Sequence, residues 1–356
     1  MTRMTWMMSA TVAGLALIVA HTAFADTKPD TSKLEAGPIS ISALPITSFQ
    51  RGGGSETRFG KLDFRGGLVL TVPNEPNFGG WSGLVLDEDG KSFIAVSDSG
   101  VWLTGAIRYQ SAKPLAIDDA RMGPLLASDG RPLKRARDRD AEAMALVSGT
   151  AGTGQLQIAF EQNARIARYE VAAGGLSASR GLLEKPAKAR AMRRNGGFEA
   201  MTVMKGGPFA GSTVAIAERL YDQSRNHTGW IWTNGAIKPF TLTNIGDFDI
   251  TDIASLNDGS LFVLERRFRW LEGVKMRIRR LSVAELGPGK TAAGIILIEA
   301  NLENEIDNME GLAVTRAANG DILLTAISDD NFNRYLQRTV LLQFALTDTQ
   351  TVKAPQ

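Results

Sequence analysis

Trp81-Ser82-Gly83-Leu84, Glu142-Ala143-Met144, Glu199-Ala200-Met201, Thr251-Asp252-Ile253 and Glu310-Gly311-Leu312 are five versions of one short pattern. Each has a polar or acidic residue, then Gly, Ala or Asp, then a large apolar residue that opens an apolar run. The central residues are Gly83, Ala143, Ala200, Asp252 and Gly311, so the steps between them are 60, 57, 52 and 59 residues. A second apolar run follows each copy and ends in acid: Asp98, Glu161, Glu218, Glu265 and Asp329. A period of that size with several short strands per unit marks a radial array of small sheets. Equivalent positions in such an array face one axis, so the recurring carboxylates are expected to gather at one site.

Working outward, Asp89-Gly90, Asn234-Gly235, Asp258-Gly259 and Asn319-Gly320 separate apolar runs by a few residues, as tight hairpin turns do. Ser282–Leu286 and Ala187–Arg194 read as short helical turns in loops. The expected fold is all-β. Five motif copies plus strands near both ends predict a six-bladed β-propeller, the sixth blade joining N- and C-terminal strands. A five-bladed ring is the alternative. Ring closure removes the open sheet edges that template aggregation. One propeller domain is expected over residues 38–350, after a polar, flexible leader at 26–37.

Residues 1–25 read as a cleaved secretory signal: Arg3, the apolar run Val12–Ala20, and Ala23-Phe24-Ala25 before the cut. The predicted mature N-terminus is Asp26, and the predicted location is periplasmic or secreted. No stable membrane span is expected, because the run is too short and nothing after it is comparably apolar. Without Arg3 the balance is 39 basic to 38 acidic residues, against 40 and 38 in the full chain. That near-neutrality argues against a nucleic-acid partner. The chain has no cysteine, which excludes thiol chemistry and Cys-ligated metal. Of its two histidines, His21 leaves with the signal, so multi-His metal sites are excluded and His227 remains as an exposed loop residue. No nucleophile elbow is present. The oligomeric state is not legible.

Phe78-Gly79-Gly80-Trp81-Ser82-Gly83-Leu84, Gly197-Phe198-Glu199-Ala200-Met201, Asp307-Asn308-Met309-Glu310-Gly311-Leu312 and Ser328-Asp329-Asp330-Asn331-Phe332 together resemble the phytase-like family ("esterase-like activity of phytase") of exported bacterial propellers. The resemblance spans roughly residues 60–346. It implies a β-propeller, an extracytoplasmic location, and ester or phosphoester hydrolysis. The similar β-propeller phytases carry Asp-rich calcium signatures that are not evident here.

Carboxylates and amide oxygens on a rigid ring suit a hard cation, and calcium accepts irregular oxygen shells. Glu142, Glu161, Glu218, Glu265, Asp98 and Asp329 are the candidate metal ligands. Glu199 and Glu310 are the candidate catalytic residues, as general base. Arg165, Arg219 and Arg266 are the candidates for holding a small anionic or ester substrate in forked geometry. A purely structural ion-pair network around the channel remains open at this stage, as does a non-catalytic binding or scaffold propeller. Basic stretches at Arg131–Arg139 and Lys185–Arg194 read as solvated loops, or as a funnel for anionic substrates.

Overall fold

The short apolar runs fold as strands that are buried on both faces. In Ser92–Ser97 the odd and even side chains go to different cores: Phe93 and Ala95 to one, Ile94 and Val96 to the next. Alternation along a strand sends neighbours to opposite faces. A continuous apolar run is therefore what a sheet covered on both sides needs. The computed structural model describes residues 28–192 and 196–346. Residues 1–25 and the predicted cut before Asp26 lie outside the described residues, as do Arg193 and Arg194 of the second basic stretch.

Five sheets stand around one axis among the described residues. Their innermost strands are Trp81–Leu86, Ala141–Gly149, Phe198–Val203, Asp249–Ser255 and Asn308–Arg316. Each motif copy lies in one of these strands. Each innermost strand lies against the next, and the fifth lies against the first, so the ring is closed. Five hydrophobic clusters fill the five gaps between adjacent blades.

The blade count is five rather than the expected six. The N-terminal strands do not build a blade of their own. Ser42–Ile46 and Leu62–Thr71 are the outer strands of the blade whose inner strands are Asn308–Arg316, Ile322–Asp329 and Thr339–Leu346. The last motif copy supplies too few strands for a full blade, and the N-terminal strands complete it. Strands from the two ends of the described residues thereby close one sheet.

The small motif residues set the width of the ring. A Cβ at Gly83 would lie 2.9 Å from the Met144 backbone nitrogen, and one at Gly311 would lie 3.3 Å from the Gly83 carbonyl carbon. Five strands packed this tightly tolerate little more than Gly or Ala on the axis side. Asp252 is the exception. Its carboxylate accepts from the backbone N–H of Ile253 at 2.8 Å and of Leu312 at 2.7 Å, bridging two innermost strands. Burial raises its pKa well above the ordinary value.

The N-terminal segment read as a leader is laid onto the ring. Thr31 is buried, and Arg139 donates to the Thr31 hydroxyl at 2.8 Å and to the Pro29 carbonyl at 3.0 Å. Arg139 of the first basic stretch is thus internal, while Arg131 is exposed and pairs with Asp129 at 2.5 Å. No helix among the described residues is long and apolar enough to cross a membrane.

Candidate functional site

A β-bulge interrupts each innermost strand at the motif. The register against the second strand shifts between Trp81 and Gly83, across Glu142, between Phe198 and Ala200, between Ile250 and Asp252, and between Met309 and Gly311. The unpaired residues are Ser82, Glu142, Glu199, Thr251 and Glu310. A bulge re-aims one side chain while the strand continues. Here it places the same position of every blade at the same mouth of the channel.

Two further rings follow from the register. On the second strand, the position just beyond the bulge is held by Asp98, Glu161, Glu218, Arg266 and Asp329. On the innermost strand, opposite it, stand Gly80, Asp140, Gly197, Asp249 and Asn308. Fifteen positions in three rings thus face one mouth.

The same register corrects one expected ligand. Glu265 pairs with Ile250, one residue short of the ring position, which Arg266 takes instead. A one-residue offset turns a side chain to the other face of the sheet. Glu265 therefore lies away from the mouth, fully buried, and binds Arg279 through two hydrogen bonds of 2.6 and 2.7 Å. Arg165 also stands apart. Its guanidinium stacks 3.7 Å over Phe160 and donates to the carbonyls of Asp138 and Asn163, at 2.5 and 3.1 Å. His227 is buried, not exposed. Its ring nitrogens face the carbonyls of Glu218 and Phe248 at 3.2 and 3.1 Å, joining the strands that carry Glu218 and Asp249.

The remaining expected residues converge. Asp140, Glu142 and Glu161 place one oxygen each within 4.8 Å of one another, and so do Glu161, Glu199 and Glu218. The two trios share Glu161. Arg266 carries the far side. Its guanidinium reaches Asn308 Oδ1 at 2.5 Å, Glu310 Oε1 at 3.3 Å and Glu218 Oε1 at 3.8 Å. Arg219 bridges Glu218 at 3.1 Å and Asp249 at 3.2 Å. Asp98 and Asp140 share the ammonium of Lys28, which is 3.0 Å from Asp98 Oδ2. Asp329 accepts from the Asn331 N–H at 2.6 Å and from the Asn308 amide at 3.3 Å.

Acids outnumber cations here, and the protonation pattern follows. Burial, then the neighbouring Asp140, raises Glu142 well above the ordinary carboxyl range. Burial and then Glu142 do the same to Glu199; burial and then Asp98 do so to Asp329. Burial raises Glu161 and Glu310 as well. Glu218 is pushed up to about 7 by burial, with Arg219 pulling against it. Desolvation and like charge both disfavour the ionised form. Lys28 is raised, because the pull of Asp98, Glu142 and Asp140 exceeds the cost of its burial.

A family model described as phytase-like, esterase-like activity of phytase, matches residues 76–332. The chain belongs to the phytase-like family. Every ring residue of the phytase-like propeller falls inside the matched span, and Lys28 falls outside it. No curated protein matches the chain. Among solved structures, the chain is similar to the β-propeller domain of Cps50 (Swd1) from Myceliophteria thermophila, with 9% identity and TM-score 0.34, covering 87% of this chain and 100% of that one. It is also similar to a humanized mutant of the Chaetomium thermophilum Polycomb Repressive Complex 2 bound to the inhibitor GSK126, with 12% identity and TM-score 0.33, covering 75% of this chain and 54% of that one.

Sequence reasoning missed Asp140, Asp249, Asn308 and Lys28. The first three each stand two residues before a motif residue, a recurrence that reading the second strands alone does not reveal. Lys28 has no repeat to point to it.

The Gly79-Gly80 pair is required by the site. Both have positive φ, +144° and +67°. A Cβ at Gly79 would lie 2.4 Å from Asp330 Oδ1, and one at Gly80 would lie 2.1 Å from Asp98 Oδ1. The gap lets Asp330 accept from the Gly80 N–H at 3.1 Å. Gly80→Ala should therefore cost more than backbone strain alone, which is about 1–3 kcal/mol. Gly90→Ala is the control: its φ is +69° but no atom lies within 3.6 Å of its added Cβ. Urea melts of both variants should show the larger loss at Gly80; equal losses would mean Asp98 is not held against the glycine.

Proposed function

We propose that the phytase-like propeller is a calcium-dependent hydrolase of phosphoester or simple ester substrates, acting at the acidic mouth. The observation that carries this reading is the pair of carboxylate trios sharing Glu161. Their donors are all oxygens, the donor set of a hard cation. The chain itself puts the Lys28 ammonium against the adjoining acids, which supports a local preference for positive charge. Asp140, Glu142, Glu161, Glu199 and Glu218 would hold the cation. A bound calcium would polarise a substrate oxygen and acidify water beside it.

The chain's own groups supply the rest. Arg266 is held between Asn308, Glu310 and Glu218 and lines the cavity, where its guanidinium would offer positive charge to an anionic oxygen. Glu310 has raised proton affinity from its burial, which suits a general base or acid, whereas Glu199 stands in a trio and its expected catalytic role gives way to cation binding. Glu310 sits with Arg266 rather than in either trio, so its role is assigned to proton transfer and not to cation binding. We also propose export, with residues 1–25 removed; mass spectrometry of secreted protein retaining them would count against it.

The test combines calorimetry and turnover. Calcium titration of the parent should show binding, and Glu161→Gln should weaken it at least about tenfold because both trios lose a charged ligand. Hydrolysis of p-nitrophenyl phosphate or p-nitrophenyl acetate should fall with chelator. In Glu310→Gln it should fall by about 10²-fold or more with calcium affinity kept. A parent that binds no calcium and turns over neither substrate is a binding propeller instead.

A further inference from the structure

The acidic mouth opens into a cavity of about 1200 Å³ lined by both polar and apolar groups. Lys28, Asp98, Arg266 and Asn308 of the mouth line it. So do Phe268, Val274, Leu302, Ile306, Phe332 and Leu336, with Asp307, Asn331, Asn333 and Gln337 between them. Several of these apolar groups are open to solvent: Phe268 is 64%, Leu302 45% and Leu336 82% exposed. Trp270, Leu271 and Tyr335, on the same two loops, are more exposed still. Of the eleven exposed large hydrophobic side chains among the described residues, six belong to three loops around this one mouth. The first loop touches the second, since a Cβ at Gly273 would lie 2.3 Å from Leu302 Cδ1, and the third is tied to the second where Gln337 and the Arg338 N–H donate to Asp307 at 3.3 and 3.0 Å. A concentrated exposed apolar surface marks a binding site rather than chance.

The cations of this cavity are few and engaged. Arg51 donates to the Ile306 carbonyl at 3.0 Å, Lys28 is held by Asp98 and Asp140, and Arg266 by Asn308 and Glu310. A polyphosphorylated sugar would need many cations and would meet a ring of carboxylates. A molecule with one polar ester end and one apolar chain asks for a single cation and brings far less charge to the carboxylates. We propose that the substrate is an amphiphilic ester or phosphoester of that kind. Its polar end lies at Arg266 and its apolar chain along Phe268, Leu302 and Leu336. This rests on the hydrolase reading for the word substrate, but the binding claim stands without it.

The test is calorimetry without turnover, in chelator, comparing ethyl phosphate with n-octyl phosphate below its micelle concentration. Six added methylenes leaving water should make the octyl compound bind at least about tenfold tighter. Phe268→Ser and Leu336→Ser, both at exposed positions, should leave the fold intact and reduce that advantage to about threefold or less. Equal affinity for the two phosphates overturns the proposal. So does tighter binding of myo-inositol hexakisphosphate than of octyl phosphate. Binding to phosphatidylglycerol vesicles without binding of octyl phosphate also overturns it and makes the loops a membrane-docking surface. An octyl preference with no hydrolysis of any ester upholds the pocket and removes only the hydrolase reading.

Discussion

Glu265→Gln should lower folding stability by about 3–5 kcal/mol while leaving the calcium titration superimposable on the parent's. The glutamine keeps the size of the side chain and removes its charge. Arg279, fully buried, then keeps a positive charge with no carboxylate to answer it, and the Arg277 guanidinium is only 3.7 Å from Glu265. Arg279 also donates to the carbonyls of Thr243 and Ala293, at 3.0 and 2.8 Å, so it cannot swing out to water cheaply. The pair ties the second and third strands of the fourth blade to the segment that crosses from the third. Removing both charges together, with Glu265→Gln and Arg279→Met, should recover much of the loss, because the cost comes from the orphaned charge. Urea denaturation gives the stability and calorimetry the calcium affinity. A single variant as stable as the parent, or one that has lost calcium, would return Glu265 to the mouth and undo the register argument.

Glu265 also shows what a row of adjacent charged residues conceals. The motif period was legible because four copies combine a small residue with an apolar run, as the tightness of a five-strand ring demands, and Asp252 keeps the same place in the remaining copy. The acids ending the second strands were legible as a group. What was not legible was the phase. In four blades the acid stands just beyond the residue that pairs across the bulge, and in the fourth blade Arg266 stands there with Glu265 one step earlier. Sequence shows both in a row, and only the hydrogen-bond register says which faces the axis. The bulges themselves leave no local signature in Ser82, Glu142, Glu199, Thr251 or Glu310. The blade count failed for a related reason: strands at the chain ends look like a unit of their own, and nothing local shows that Leu62–Thr71 pairs with Thr339–Leu346.

Without a cation, stability should fall as pH rises from 5 to 8. The sign follows from the raised carboxyl groups. Glu218 has an ordinary value of 4.5 and is pushed up to about 7 in the folded protein. Its cause is burial first, with Asp249 adding to it and Arg219 and Arg266 opposing. Between those values the unfolded chain has released the proton and the folded chain still holds it. The folded state binds more protons, so each step up in pH favours unfolding. The contribution is fully present below 4.5 and is lost as pH passes about 7; for Glu218 alone it is on the order of 3 kcal/mol. Glu142, Glu199 and Asp329 act in the same direction. Calcium should reverse the trend, because it binds the ionised carboxylates and competes with protons for them. Its stabilisation should thus be small at pH 5 and large at pH 8, where ligand binding to the folded state alone adds about 2.7 kcal/mol at a hundred times Kd. Thermal melts at pH 5, 6, 7 and 8, with calcium and with chelator, measure both trends. Glu218→Gln should flatten the chelator curve. A chelator curve that rises over this range would mean that Lys28, Arg219 and Arg266 already neutralise the mouth, leaving no charge for a metal to satisfy.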